Sequence, residues 1–256
     1  MQDLFIQHRK VSRSDRMKQK VLFILSLALL MFAICVPAIA QPSAKGVETF
    51  VIDDFDSSDG KEWTWEVNAS RFIAEGFPKT AYVAGCPNSL KPFRDPDGPE
   101  AQVFGVQVSY NRKGDNWFEI YPVKANDDGE SSNYEIPFKG TVSQLDFWVW
   151  GANYRYTLEI LIRDSDGRVR VLPACMTNFN GWKNVVVSIP TSISQKSRLR
   201  SGPETLSFVG FRVRTDPAEF VDDYVIYFDQ LKYTSSTLNN IYDGYDLRKP
   251  DFDSAE

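Results

Sequence analysis

The stretch LDFWVW at residues 145–150, followed by YTLEILI at residues 156–162, decides the fold class. Side chains of an extended strand alternate between two faces, so the first run places Trp148 and Trp150 on one face and its aliphatic residues with Phe147 on the other. Both runs are rich in β-branched and aromatic residues, which favour strands. We therefore expect two β-strands, the first with one face in the core and the other face partly exposed.

The next segment predicts a β-hairpin from Ile160 to Leu172. Residues 164–168, DSDGR, separate two apolar runs, and Asp-Gly supplies the positive φ angles of a tight reversal. Asp-Gly recurs at residues 59, 97, 128 and 243. Further strands are predicted at residues 49–55, 62–67, 103–110, 117–121, 185–189, 207–214 and 225–231.

Helical patterns are confined to residues 11–20 and 192–199, which leaves a parallel α/β fold unsupported. We expect an all-β, antiparallel sandwich forming one domain over residues 41–237. The last stretch, residues 238–256, contains Tyr242, Tyr245 and Phe252 among five acidic and two basic residues. It reads as a surface tail that is either disordered or docked on this subunit or its neighbour.

The start of the chain predicts an export signal. Residues 21–40 are apolar, follow three basic residues and end in Ala38-Ile39-Ala40, a small-x-small cleavage pattern. A transmembrane anchor is the competing interpretation, but Pro37 and the cleavage pattern favour removal of residues 1–40, with Met17 as a possible true start. We therefore expect an exported protein without a stable membrane anchor after cleavage.

The net charge argues against a nucleic-acid-binding protein, and the histidine content argues against histidine-dependent catalysis. Residues 1–40 contain six of the 29 basic and two of the 34 acidic residues, which leaves 23 against 32 and a net charge of −9. A nucleic-acid binder requires clustered basic residues to neutralise phosphates. The sole histidine is His8, so the exported chain lacks the residue on which most nucleophile activation and zinc binding depend.

The two cysteines after residue 40, Cys86 and Cys175, either form a disulfide or remain separate thiols. Thiols tend to pair in oxidising compartments, but two separately buried thiols fit the sequence equally well. No CxxC pair is present after residue 40, which argues against redox catalysis.

Several polar clusters have ordinary explanations. Asp54, Asp56 and Asp59 depart from the EF-hand spacing and are flanked by strands. The acidic group at residues 127–130 surrounds a glycine and favours a solvated turn over the paired carboxylates of a glycosidase. Six arginines on strands or hairpin flanks could bridge to a neighbouring subunit or be solvated: Arg155, Arg163, Arg168, Arg170, Arg212 and Arg214.

Four segments together resemble a known family. They are residues 50–55 with 63–65, residues 145–150, residues 178–185, and residues 209–213 leading to 227–231. Across most of residues 45–235 the chain is similar to the flagellar filament outer layer proteins of spirochaetes, the FlaA family. Similar elements occur in jelly-roll carbohydrate-binding modules, and this second resemblance implies a jelly-roll topology.

The FlaA resemblance implies a structural, non-enzymatic role in the sheath of the periplasmic flagellum. Its expected partners are the flagellin core, other sheath proteins and further copies of itself. The alternative is a secreted carbohydrate-binding module in which Trp148 and Trp150 face a glycan, and a hydrolase comes third. The resemblance to such modules also suggests a structural calcium ion between the first and last strands, at Asp53 or Asp54 and Asp229, although ordinary surface carboxylates fit these positions too.

Overall fold

A computed structural model describes residues 46–57, 60–126, 128–196 and 205–236. In these residues the chain forms thirteen β-strands and one 3₁₀-helix, Lys91–Phe93. The strands are β1 Glu48–Asp53, β2 Thr64–Ala69, β3 Lys79–Ala84, β4 Gln102–Val108, β5 Trp117–Ala125, β6 Ser131–Asn133, β7 Ile136–Pro137, β8 Thr141–Ala152, β9 Thr157–Arg163, β10 Val169–Met176, β11 Asn180–Ser188, β12 Ser207–Arg214 and β13 Tyr224–Ser236.

The strands form two antiparallel sheets. Sheet A has the order β11-β8-β13-β4-β3, with β1 paired to the end of β13. Sheet B has the order β10-β9-β12-β5-β2, with β6 on β5 and β7 on β12. Within the described residues, no helix is both long and apolar enough to span a bilayer.

The connectivity is that of a jelly roll. Strands β4, β13, β8 and β11 are neighbours in sheet A, while β5, β12, β9 and β10 are neighbours in sheet B. The chain therefore crosses between sheets at β1–β2, β2–β3, β4–β5, β7–β8, β8–β9, β10–β11, β11–β12 and β12–β13. The expected all-β jelly-roll sandwich is confirmed.

The core lies between the inner faces of the two sheets. Phe147 of β8, Phe211 of β12 and Phe228 of β13 are almost fully buried. The rings of Phe211 and Phe228 stack with centroids 4.6 Å apart, and Phe147 lies 5.1 Å from Phe211. Burying each ring contributes roughly 2–3 kcal/mol by the hydrophobic effect, so this contact fastens one sheet to the other.

The predicted strands and the hairpin are present in the described residues, whereas the predicted helix at 192–199 is wrong where it is described. β9 and β10 form the expected hairpin, with Arg163 opposite Val169 and the turn at residues 164–168. β3 was not predicted, because its sequence KTAYVA lies on the sheet edge with both faces partly exposed and has little alternation. The described part of the predicted helix at 192–199, residues 192–196, is not helical. Residues 1–40, Asp59, Asp127 and residues 238–256 lie outside the described residues.

Candidate functional site

The outer face of sheet A carries a row of aromatic side chains that runs across the strands. Trp182 of β11 lies opposite Trp150 of β8, and Trp150 lies opposite Tyr227 of β13. The row continues through Gly105 of β4 to Ala81 of β3. With neighbouring strands about 4.8 Å apart, these five positions extend over roughly 19 Å. We call this set the aromatic row.

The alternation of β8 places the tryptophans outward, as its sequence predicts. Leu145, Phe147 and Val149 are fully buried on the inner face, whereas Trp148 and Trp150 are partly exposed on the outer face. Trp150 meets Tyr227 edge to face, with ring centroids 5.4 Å apart and planes at 73°. Two edge-to-face rings hold each other in place, so this part of the face is a preformed surface.

A groove of about 460 Å³ lies at the other end of the row, beyond Tyr227. The Tyr227 ring covers Gly105 so closely that a Cβ on this glycine would lie 2.7 Å from the ring. Gly105 therefore makes room for the Tyr227 ring, and Ala81 leaves the groove floor beside this ring without a large side chain. The rest of the lining includes Val225 and Gln107 together with residues of β3.

The polar side chains beside the row pair mostly with each other. Asn184 donates a hydrogen bond to Asp146 over 2.8 Å, and the Lys232 ammonium lies 3.9 Å from the same carboxylate. The exposed Lys79, at the end of the groove, forms no ion pair with any described residue. Its ammonium lies 4.7 Å from the centroid of the Phe77 ring.

Asp53 is buried and its carboxylate is occupied by protein donors. It accepts hydrogen bonds from Lys61, from Trp65 Nε1 at 2.8 Å and from the Phe55 backbone N–H at 2.7 Å. Burial raises the pKa of this carboxyl, although Lys61 and the other donors act in the opposite direction. Asp54 beside it is about half exposed and lies 3.5 Å from Lys61.

Asp229 is also fully buried, on the outer face of β13, and it faces Arg94. The guanidinium donates to both carboxylate oxygens of Asp56, at 2.6 and 2.8 Å, and reaches Asp229 Oδ2 at 3.5 Å. Asp229 Oδ1 has no hydrogen-bond partner among the described residues. Burial raises the pKa of Asp229 to about 7, and Arg94 only partly offsets it.

These contacts do not fit the calcium hypothesis for Asp53, Asp54 and Asp229. Calcium requires six or more oxygen ligands around one point. Here the side chains of Lys61 and Arg94 lie where a cation beside these carboxylates would bind. In the described part of the chain, no group of three or more potential metal ligands is assembled.

The disulfide between Cys86 and Cys175 is not formed, because both thiols are free. Cys86 follows β3 at one edge of sheet A. Cys175 lies in β10, which contacts β11 at the opposite edge of that sheet. The separation of four strand spacings, roughly 19 Å, far exceeds the ~7 Å limit between bonded cysteine Cα atoms.

The remaining polar clusters are satisfied within the chain or exposed. Arg212 of sheet B contacts Glu159 at 2.7 Å and Glu119 at 3.8 Å. Four more of the six arginines singled out in the sequence pair in the same way: Arg155 with Glu219, Arg163 with Glu135, Arg170 with Asp164, and Arg214 with Asp115. The described members of the acidic group at 127–130 are exposed in a turn. The outer face of sheet B is therefore a self-paired charged surface.

Sequence reasoning found only part of the aromatic row. Trp150 was identified from the alternation of β8, together with Trp148 beside the row, but Trp182, Tyr227 and Gly105 were not. These residues lie on three other strands, and nothing local in the sequence states which strands are neighbours.

Comparisons with known proteins identify a family that matches most of the chain. A model of the family described as flagellar filament outer layer protein FlaA matches residues 44–239. A putative flagellar filament outer layer-like protein of Brachyspira hyodysenteriae is 27% identical over 194 residues, covering 73% of this chain and 78% of that protein. A flagellar filament outer layer protein of Treponema pallidum is 31% identical over 115 residues, covering 41% of this chain and 33% of that protein.

Solved structures with a similar arrangement include carbohydrate-binding modules. One, from the β-sandwich superfamily, has a TM-score of 0.43 at 11% identity and covers 72% of this chain and 61% of its own. The family 11 module of a Clostridium thermocellum cellulosomal cellulase has a TM-score of 0.38 at 13% identity and covers 76% and 98%.

Proposed function

The chain belongs to the flagellar filament outer layer protein family FlaA, and on that premise we propose that it is a structural subunit of the sheath of a periplasmic flagellar filament. In this role it coats the flagellin core and contributes to the shape and stiffness of the filament and hence to motility. The observation that carries the proposal is the extent of the family match. Residues 44–239 include every strand from β1 to β13.

The outer face of sheet A is the contact surface that best suits this role. Partly exposed aromatic side chains in fixed positions anchor protein interfaces, because they bury a large area at a small cost in side-chain entropy. Trp148, Trp150 and Trp182 meet this description. The outer face of sheet B is less suitable, since most of its arginines already have carboxylate partners.

The location proposed for the protein is the periplasm, after cleavage near Ala40. The exported form then consists of the sandwich domain, residues 41–237, and the tail, residues 238–256. Its partners are the flagellin core, other sheath proteins and further copies of this chain. The proposal includes no catalytic step, in keeping with the lack of histidine after residue 40.

The decisive experiment uses periplasmic flagella purified from cells that produce this protein. Quantitative mass spectrometry should find the chain in stoichiometric amounts, and a deletion strain should have filaments of altered shape and reduced motility. Absence of the chain from clean filaments would contradict the proposal.

The contact surface is tested by complementing the deletion strain with variants. Trp148→Ala combined with Trp182→Ala is expected to lower filament occupancy by about tenfold, as the loss of interface anchors usually does. Val171→Ser is the matched control, because Val171 is exposed on β10 at the far edge of sheet B. Equal occupancy of both variants would place the contact elsewhere.

Glycan binding is the second candidate function, and the aromatic row is the observation that favours it. Flat rings beside a groove with polar groups at its rim can stack on sugar rings and bind their hydroxyl groups. Retention of the purified protein on polysaccharide columns, and its loss in Trp150→Ala, would support this function. A lack of retention on every glycan column would remove it.

A further inference from the structure

The groove beyond Tyr227 is an apolar depression with one cation at its end. Ala81, Val225 and Tyr227 supply its apolar surface, and Lys79 supplies the charge. All of these residues lie on β3, at the edge of sheet A, or at the start of β13. No described segment covers the groove, so an aromatic side chain beside a carboxylate would fit it best.

The chain contains a segment of that chemistry directly after β13. Residues 238–256 include Tyr242, Tyr245 and Phe252, and carry five acidic side chains against two basic ones. The family match ends at residue 239. Most of this segment therefore lies beyond the region shared with the family.

The segment and the groove lie at opposite ends of the same strand. β13 begins at Tyr224, next to the groove, and its last residue is Ser236. At about 3.3 Å per residue, Ser236 at the end of β13 lies roughly 30 Å from Tyr227. The segment itself can extend to roughly 60 Å, so its length is sufficient to reach a groove on an adjacent molecule.

The direct way back to the groove of the same molecule is obstructed. Asp229 lies on the outer face of β13 between Tyr227 and Ser236, and it is fully buried. Arg94, from the connection between β3 and β4, reaches over it. Arg94 therefore lies on the straight path along the outer face of β13, whereas a segment from a second copy reaches the groove without crossing Arg94.

We infer that residues 238–256 of one copy occupy the groove of a second copy, with aromatic side chains against Tyr227 and Ala81 and a carboxylate beside Lys79. The tail is the donor in this contact and the groove is the acceptor, and the two follow opposite ends of β13. Such a contact is heterologous, so copies join head to tail in an open row. The inference rests on the proposed function only in that a filament sheath requires repeated copies to contact each other.

Two variants of the chain beginning at Gln41 separate donor from acceptor. The first ends at Thr237 and has a groove but no tail. The second carries Lys79→Glu and Ala81→Glu and has a tail but a blocked groove. Sedimentation velocity is expected to show concentration-dependent rows for the unaltered chain. For each variant alone, association should weaken by at least about tenfold, because like charges or a missing anchor oppose the contact.

The mixture of the two variants provides the sharpest result. The tail of the groove-blocked variant can enter the groove of the tail-deleted variant, and no second contact can form. We therefore expect a discrete 1:1 dimer. Lys196→Glu is the control for the charge reversal at Lys79, because Lys196 is exposed and lies outside the groove, and this variant should associate like the unaltered chain.

Three results would overturn the inference: a monomeric unaltered chain, a mixture that stays monomeric, or tail deletion that leaves association unchanged. Circular dichroism melts of both variants verify that they are folded. These outcomes are separable from failure of the proposed function, since filament occupancy in cells is measured independently of self-association in solution.

Discussion

Asp53 and Asp229 are buried carboxylates near the same bulge of β13, yet their surroundings differ. Asp53 lies opposite Leu231, two positions beyond Asp229, and has three donors around it. Asp229 has one distant cation and one oxygen without a partner. An incompletely paired carboxyl in a desolvated position favours the protonated form.

The stability of the protein should therefore depend on the ionisation of Asp229. Its pKa is raised to about 7 in the folded protein, so between pH 4 and 7 the folded chain retains a proton that the unfolded chain has lost. Stability from this group is fully present below about pH 4 and is lost as the pH rises through 7. We expect the free energy of unfolding of Asp229→Asn to fall less between pH 4 and pH 8 than that of the unaltered protein, by an amount on the order of 3 kcal/mol.

Urea denaturation from pH 4 to 8 measures this effect. The informative quantity is the difference in unfolding free energy between Asp229→Asn and the unaltered protein, because other carboxyls titrate in both. Asp222→Asn is the control, since Asp222 is exposed. Parallel curves for Asp229→Asn and the unaltered protein would show that Asp229 ionises normally.

At the scale of the element, β12 depends on the absence of a side chain at Gly210. A Cβ at this position would overlap the backbone carbonyl of Ile120 on β5. The register between β12 and β9 also shifts between Phe208 and Gly210, so the strand bends where it meets its neighbours. The bend lies one residue from Phe211, which joins the two sheets in the core.

Gly210→Ala is expected to lower the free energy of unfolding by roughly 1–3 kcal/mol, because backbone must move to admit the methyl group. Gly85→Ala is the matched control, since its Cβ would meet Val103 at an ordinary 3.8 Å. Denaturant midpoints at one pH measure both. Equal denaturation midpoints for Gly210→Ala and Gly85→Ala would mean that β5 can shift to admit the methyl group without loss of stability.

Element-scale features were partly predictable from the sequence. The β9–β10 hairpin was predicted because its turn residues and flanking apolar runs are adjacent in the chain. The alternation of β8 correctly separated its inward and outward residues. The edge strand β3 was missed because a strand with both faces partly exposed has no strong period.

At the scale of the whole molecule, the two outer faces differ in chemistry. Sheet A presents the aromatic row and the groove, whereas sheet B presents arginines paired with carboxylates. Exposed ion pairs contribute little to stability and are already satisfied. The two outer faces of the sandwich therefore differ, and the proposed role in a filament would require such a difference for binding in one orientation.

The arrangement of the sheets also predicts the redox behaviour of the protein. Because Cys86 and Cys175 lie at opposite edges, the chain beginning at Gln41 should contain two titratable thiols after unfolding. Its melting temperature should be unchanged by a reducing agent. Thiol titration in denaturant and melts with and without reductant measure this, and a lower melting temperature under reduction would indicate a bond between them.

The sequence by itself determined the features that depend on neighbouring residues: the all-β class, the principal strands, the outward direction of Trp148 and Trp150, and the family resemblance. Only the tertiary structure decided which strands are neighbours. It brings Trp182, Trp150 and Tyr227 into one row, places Arg94 between Asp56 and Asp229, and separates the two cysteines. The physical reason is that side-chain alternation is set within each strand, whereas strand order in a jelly roll is set by the packing of segments that lie far apart in the sequence.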